Sequence, residues 1–167
     1  KGTSRLTGAL KSLDTKLMAA ALGEMGVTVE EPDATTFVVT GSGRLTKPEK
    51  ALYLGNAGTA TRFLAAAVAT IDGTVVVDGD EHMRKRPIVP LLDALADLGV
   101  KATSETGCPP AVIHGTGRLK AGRVVIDASL SSEYVSAVLM AAPFGDGPID
   151  DELSDPEIDA VGYVRLT

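Results

Sequence analysis

The pentapeptide pattern Gly-x-Gly-Arg-Leu occurs twice, at Gly41–Leu45 and at Gly115–Leu119, an offset of 74 positions. Other landmarks recur at nearly the same interval. Met25-Gly-Val returns as Leu98-Gly-Val at 73, and Gly2-Thr returns as Gly73-Thr at 71. Arg123-Val-Val-Ile-Asp opens a third copy, in which Ser132 falls 73 positions after Thr59. This period is longer than that of solenoid repeats, so the units are expected to pack pseudo-symmetrically about a shared helical core instead of stacking in a row. Each unit reads β-α-β-α-β-β. We divide the chain into a partial first repeat over about 1–50, a second over about 51–120 and a partial third over about 121–167, all within one domain and one α/β fold class.

Within that frame, Gly2-Thr-Ser-Arg-Leu-Thr reads as a strand. Asp14 is the expected cap of a helix that places Leu17, Met18, Ala21, Leu22 and Met25 on one face. Val27–Glu30 and Phe37–Thr40 read as a strand pair. A helix follows the glycine turn at Gly55 with Phe63, Leu64, Ala67 and Val68 inward. Gly73–Asp78 reads as a strand, and Pro87 as the start of a helix carrying Ile88, Leu91, Leu92, Leu95 and Leu98. Val100–Thr103 and Ala111–His114 are the next strands, and Ser131 is the expected cap of a helix that Pro143 closes. The first strand has almost no lead-in, and Tyr163–Thr167 stops inside a helical pattern without a cap, so the chain reads as a piece of a longer protein.

The formal charge of −6 argues against a general nucleic-acid or membrane-surface binder, so an anion site here has to be local. A single cysteine, Cys108, excludes an internal disulfide and a cysteine-built zinc site, and fits a reducing, cytoplasmic setting. No apolar run approaches the length of a membrane span. The Asp78-Gly-Asp-Glu81 run lacks histidine and the spaced carboxylates of a metal loop, and no metal is expected. His82 and His114 have no visible partner. There is no Gly-x-Ser-x-Gly, paired-histidine or P-loop motif.

Three segments carry chemistry. In Leu54-Gly-Asn-Ala-Gly-Thr-Ala-Thr-Arg62, a short apolar run stops at a glycine turn that opens a helix. Free backbone N–H groups and the positive helix end there suit an anion, and Asn56, Gly58 and Thr59 line the turn. Arg62, one turn in, is a supporting cation. Met83-Arg-Lys-Arg-Pro offers Arg86 as a bidentate partner for a carboxylate or phosphate, set against the alternative that these cations simply pair with Asp78, Asp80 and Glu81. Ser131 and Ser132 open the third unit's helix and again suit phosphate, whereas Glu133 beside them repels it.

Together these segments resemble the 3-phosphoshikimate 1-carboxyvinyltransferase (5-enolpyruvylshikimate-3-phosphate synthase) family, in order and spacing across nearly the whole chain. Leu54–Arg62 is similar to its phosphoenolpyruvate loop, Met83–Ile88 to its Met-x-x-Arg-Pro-Ile motif, and Ser131–Pro143 to its Ser-Ser-Gln helix. The sister family that acts on UDP-N-acetylglucosamine fits the second and third motifs poorly. The resemblance implies an inside-out α/β barrel built from three repeats, with a second domain that this chain lacks. It implies that Asn56, Gly58, Thr59, Arg86 and Glu133 face phosphoenolpyruvate, and that Ser131, Ser132, Glu133 and Ser154 face shikimate 3-phosphate. It implies neither a metal nor an organic cofactor, and no nucleic-acid or membrane partner. It implies that the catalytic acids and bases belong to the second domain, so the fragment alone is expected to be inactive.

Two departures stand out. Glu133 replaces the family's glutamine, and Glu157 stands where the family has a tyrosine. The family's Pro-Gly-Ser-Lys-Ser segment would lie upstream of Lys1. The competing readings are a non-catalytic or altered-acceptor relative that kept the fold, and a repeat protein of the RNA 3′-phosphate cyclase type, which the acidic charge disfavours.

Overall fold

The computed structural model describes residues 1–154. The expectations for Glu157 and for Tyr163–Thr167 lie outside these residues. Strands β1 (Gly2–Leu6), β2 (Thr28–Asp33) and β3 (Thr36–Gly41) form an antiparallel sheet in the order β1-β3-β2, with helix α1 (Leu13–Glu24) joining β1 to β2. A second sheet has the order β4-β5-β7-β6, from β4 (Leu52–Tyr53), β5 (Asp72–Asp78), β6 (Lys101–Ser104) and β7 (Ala111–Thr116). Helix α2 (Gly58–Val68) joins the parallel pair β4 and β5, and α3 (Val89–Asp97) joins β5 to β6. Strands β8 (Gly122–Ile126) and β9 (Ile149–Leu153) pair in parallel, with α4 (Glu133–Ala141) between them.

The two larger sheets share a plan down to the register. Gly2 pairs with Gly41 in the first sheet, and Gly73 pairs with Gly115 in the second. A Cβ on Gly115 would meet the carbonyls of Ile71, Val68 and Ala69, so the end of α2 packs directly on this strand. The β4-α2-β5 crossover is likewise repeated as β8-α4-β9.

Helices α2 and α4 occupy the centre. Ala60, Leu64, Ala65, Ala66 and Val68 of α2 and Tyr134, Val135, Ala137, Val138 and Ala141 of α4 are buried, and the two helices pack on each other. The run of alanines in α2 lets the helices come close, while β1 is exposed along its length. Helices inside and sheets outside is the inverted layering that the resemblance implies.

The structure corrects several local expectations. The cap of α1 is Ser12, whose hydroxyl accepts from the Thr15 N–H at 3.3 Å, and Asp14 sits in the first turn instead. Helix α3 begins at Val89 with Pro90 in its first turn, and Pro87 precedes it. Its cap position is Ile88, whose backbone N–H donates to the Gly107 carbonyl. Both histidines have neighbours: His114 Nδ1 lies 3.0 Å from Thr74 Oγ1 across the β5-β7 ladder, and His82 Nε2 lies 3.7 Å from Glu81.

Strand β9, Ile-Asp-Asp-Glu-Leu, is absent from the strands read from the sequence. Its half-buried positions alternate, which puts Asp151 on the same side as Ile149 and Leu153. Neither carboxylate oxygen of Asp151 has a hydrogen-bond partner among the described residues, and burial pushes its pKa up to about 6. The native state therefore binds this proton more tightly than the unfolded chain does. The fold carries no penalty below about pH 4, a growing one as pH rises to 6, and the full one above. Asp151→Val is expected to stabilise the protein by roughly 1–2 kcal/mol at pH 7.5, after allowance for partial exposure, and by clearly less at pH 4. Urea unfolding at the two pH values checks this, and an equal gain at both would contradict it.

Candidate functional site

Both parallel crossovers put their helix N-termini at the carboxyl ends of their strands, the end where open α/β units present ligand sites. After β4 the chain turns at Gly55 (φ +52°), and α2 starts at Gly58 with Ala57 as a cap that offers no side-chain bond. The first-turn N–H groups of α2 thus have no intrahelical acceptor and, among the described residues, no capping side chain at Ala57. Beside this turn, the Asp80 N–H donates to the Gly55 carbonyl at 3.0 Å. Asp80 Oδ1 in turn accepts from the N–H groups of His82 and Met83, both at 2.9 Å, and so shapes the 3-10 turn Met83–Lys85. A Cβ on Gly79 would fall 2.6 Å from Met83 Cβ and Cγ and would collide with the Gly55 carbonyl, so glycine is what lets the two loops touch.

That turn divides the three adjacent cations. Arg84 holds Asp78 bidentately, Nε to Oδ1 at 3.0 Å and Nη2 to Oδ2 at 2.5 Å. This bond keeps the Asp78 carboxyl below its ordinary pKa. Lys85 is exposed. Arg86 folds back over the start of α2, with Nη1 3.4 Å from the Asn56 carbonyl, and a Cβ on Gly58 would sit 2.6–2.7 Å from its Nη2 and Cζ. A half-buried guanidinium thus lies across an uncapped helix N-terminus, an arrangement suited to a small oxyanion.

The start of α4 lies against the start of α2. Glu133 Oε1 accepts from the Thr59 hydroxyl, and Oε2 accepts from Arg62 Nη1 at 2.7 Å and from the Ser131 hydroxyl at 3.4 Å. The Glu133 N–H donates to Ser131 Oγ at 3.2 Å. Ser131 thus makes the side-chain contact at the head of α4, while Ser132 occupies the cap position without one. Arg62 is only 7% exposed, and its Cζ lies 5.3 Å from the Tyr134 ring. The Tyr134 hydroxyl donates to the Pro87 carbonyl at 2.7 Å, next to Arg86.

Among the sequence-derived candidates, contacts therefore join Asn56, Gly58 and Arg86 in one cluster, and Thr59, Arg62, Ser131 and Glu133 in another, one residue away along α2. Ser132 sits at the head of α4. Ser154 is exposed at the end of β9 and is tied to β8 by its N–H to the Ile126 carbonyl at 3.0 Å. Glu133 does not stand alone, since Arg62 Nη1 donates to its carboxylate at 2.7 Å. Sequence reasoning missed Tyr134, and it missed the Thr59–Glu133 bond although these residues are one repeat, 74 positions, apart. At the opposite end of α2 and α4 lies an open groove of about 1180 Å³, lined by Met18, Phe63, Leu64, Ala137 and Met140 among others. Among the described residues no cluster of His, Cys, Asp and Glu could hold a metal, and no helix is long and apolar enough to cross a membrane.

Fold and site together define a repeat-built α/β protein whose central helices bring two N-termini together, with a guanidinium lying over one of them. The family model described as EPSP synthase (3-phosphoshikimate 1-carboxyvinyltransferase) matches residues 1–161. A 3-phosphoshikimate 1-carboxyvinyltransferase from Rhizobium etli is 65% identical over 167 residues, all of this chain and 40% of that protein. One from Pseudomonas savastanoi pv. phaseolicola is 62% identical over the same shares. The pentafunctional AROM polypeptide of Candida glabrata is 38% identical over 178 residues, all of this chain and 11% of that protein. An EPSP synthase structure from Acinetobacter baumannii superposes with a TM-score of 0.84 at 30% identity, over 97% of this chain and 37% of that one. The chain belongs to the EPSP synthase family, and it spans about 40% of the length of the bacterial relatives it matches.

Proposed function

We propose that the full-length protein containing this chain transfers the enolpyruvyl group of phosphoenolpyruvate to the 5-hydroxyl of shikimate 3-phosphate and releases inorganic phosphate, a step toward the aromatic amino acids. The observation that carries this reading is the Arg86 guanidinium lying over Gly58 at the uncapped start of α2, beside the start of α4. Asn56, Gly58, Thr59, Arg86 and Glu133 would face phosphoenolpyruvate. Ser131, Ser132, Glu133 and Ser154 would face shikimate 3-phosphate, and Arg62 would support both helix starts. In the reaction C3 of phosphoenolpyruvate is protonated, and the acceptor hydroxyl gives up its proton to a base as its oxygen bonds to C2. Loss of that C3 proton with the phosphate then leaves the enol ether. This chain's part is electrostatic, holding two anions close together with groups fixed in advance.

The acids and bases of the reaction would come from a second domain, with this chain forming most of one domain as repeats over about 1–50, 51–120 and 121–167. The lone cysteine, Cys108, supports a cytoplasmic location. A different acceptor alcohol is the second reading, favoured by the carboxylate at Glu133. Phosphate release by the full-length enzyme tests both. Release that requires phosphoenolpyruvate and shikimate 3-phosphate together is expected. Its absence with that acceptor, alongside intact phosphoenolpyruvate binding, would favour the second reading.

A further inference from the structure

Arg86 is aimed by its backbone more than by its side chain. The guanidinium makes one long bond, 3.4 Å to the Asn56 carbonyl, yet it lies over Gly58 at the start of α2. Its direction is therefore set by the turn it leaves. The N–H groups of Arg84, Lys85 and Arg86 close that turn on the carbonyls of Asp80, His82 and Met83, at 3.0, 3.1 and 3.0 Å. Downstream, the Pro87 carbonyl accepts from the Tyr134 hydroxyl at 2.7 Å, and the Ile88 N–H donates to the Gly107 carbonyl at 2.9 Å. Upstream, the turn is held by Asp80. Of the acids before the three cations, Asp78 takes Arg84 and Glu81 faces His82, while the half-buried Asp80 carboxylate holds no cation among the described residues. Its Oδ1 is spent on the N–H groups of His82 and Met83, which so short a turn cannot satisfy from within. Its own N–H reaches the Gly55 carbonyl, so one residue touches both the cation turn and the entry to α2.

Resting on the proposed transferase reading, we propose that Asp80 is a positioning residue for the oxyanion at the start of α2, acting without ligand contact by fixing the turn that aims Arg86 over Gly58. A guanidinium fork meets two oxygens at once only when it is closely placed, and a misplacement of about 1 Å is costly. A negative charge near an anion site weakens binding by itself, so the value of Asp80 lies in the two bonds accepted by Oδ1 and not in its charge. Asparagine offers the same acceptor oxygen at the same distance from the backbone, without the charge. Alanine leaves two N–H groups without their partner and frees the turn. The bond from the residue 80 N–H to Gly55 survives either change, so both replacements act on the Arg86 side of the junction.

The test is made on the full-length protein, by calorimetric titration with inorganic phosphate and with phosphoenolpyruvate, and by steady-state kinetics with each substrate varied. Asp80→Ala is expected to weaken both anions and to raise KM for phosphoenolpyruvate roughly tenfold, with kcat and the acceptor KM changed less than about threefold. Asp80→Asn should bring KM back to within about twofold of the parent. In an Arg86→Ala background, Asp80→Ala should cost less than about twofold more, because the group it acts through is gone. Should the alanine variant not fold, Asp80→Ser, whose shorter side chain reaches one of the two N–H groups, takes its place at an expected loss of about threefold. An unchanged KM, an asparagine as damaging as alanine, or a full loss that persists without Arg86 overturns the proposal. The phosphate titration needs no turnover. Failure of the transferase reading shows instead as absent product formation from shikimate 3-phosphate while the Asp80 variants still separate in the titration.

Discussion

Arg62→Ala is expected to lower stability by about 3 kcal/mol or more, among the largest losses any single replacement in this chain should produce. Arg62 and Glu133 have side-chain exposures of 8% and 20%, so neither is a solvated surface charge. Truncating the arginine leaves a largely desolvated carboxylate whose remaining donors are the Thr59 and Ser131 hydroxyls. It also opens a hole beside the Tyr134 ring, against which the guanidinium packs at 5.3 Å. The loss is a property of the broken pair, because Arg62→Met combined with Glu133→Leu removes both charges and refills the space. That double variant should recover most of the stability, as apolar replacements of buried ion pairs often do. Denaturant midpoints of the two variants check the account. A loss under about 1 kcal/mol for Arg62→Ala, or a double variant no better than the single one, would show that the pair is solvated and structurally idle.

The same pair marks where reading the sequence stops. The repeat was legible because backbone plan follows local pattern. The offset of Gly73 from Gly2 and of Gly115 from Gly41 reappears as two equivalent glycine pairs in equivalent sheets. The helices were legible from apolar spacing, and the entry to α2 from a glycine turn ahead of a helical run. What local pattern does not carry is which side chain spends its bonds on which. Glu133 beside Ser131 and Ser132 reads as a repelling charge until Arg62, 71 positions earlier, is seen to meet it. The three cations of Arg84-Lys85-Arg86 are alike in sequence. Only the Asp80-capped turn assigns Arg84 to Asp78 and turns Arg86 onto Gly58. Strand β9 was hidden because Asp151 occupies an inward position where alternation calls for an apolar residue.

Arg86 should therefore be the cation that ligand affinity depends on. Arg84 is held bidentately by Asp78 and Arg62 by Glu133, while the bond described for Arg86 is a long one, 3.4 Å, to the Asn56 carbonyl. A guanidinium so weakly engaged, lying over unpaired helix N–H groups, gives up little to take an oxyanion. In the full-length enzyme, Arg86→Ala is expected to raise KM for phosphoenolpyruvate about a hundredfold, the value of two charge-assisted hydrogen bonds, with little change in thermal stability. Arg86→Lys should recover only part of this, since a point charge cannot reproduce the planar fork stacked on Gly58. Gly58→Ala reaches the same result from the other side. Its methyl group would occupy the space of Cζ and Nη2 and push the guanidinium off the helix start, raising the same KM roughly tenfold while leaving Arg86 intact. Ser132→Ala serves as the contrast, because its effect should fall on the second substrate. Steady-state kinetics with each substrate varied in turn separates these outcomes. If Arg86→Ala weakened only the acceptor, or if Gly58→Ala left phosphoenolpyruvate untouched, the anion would have to sit away from the start of α2, and the cradle would be a structural cap.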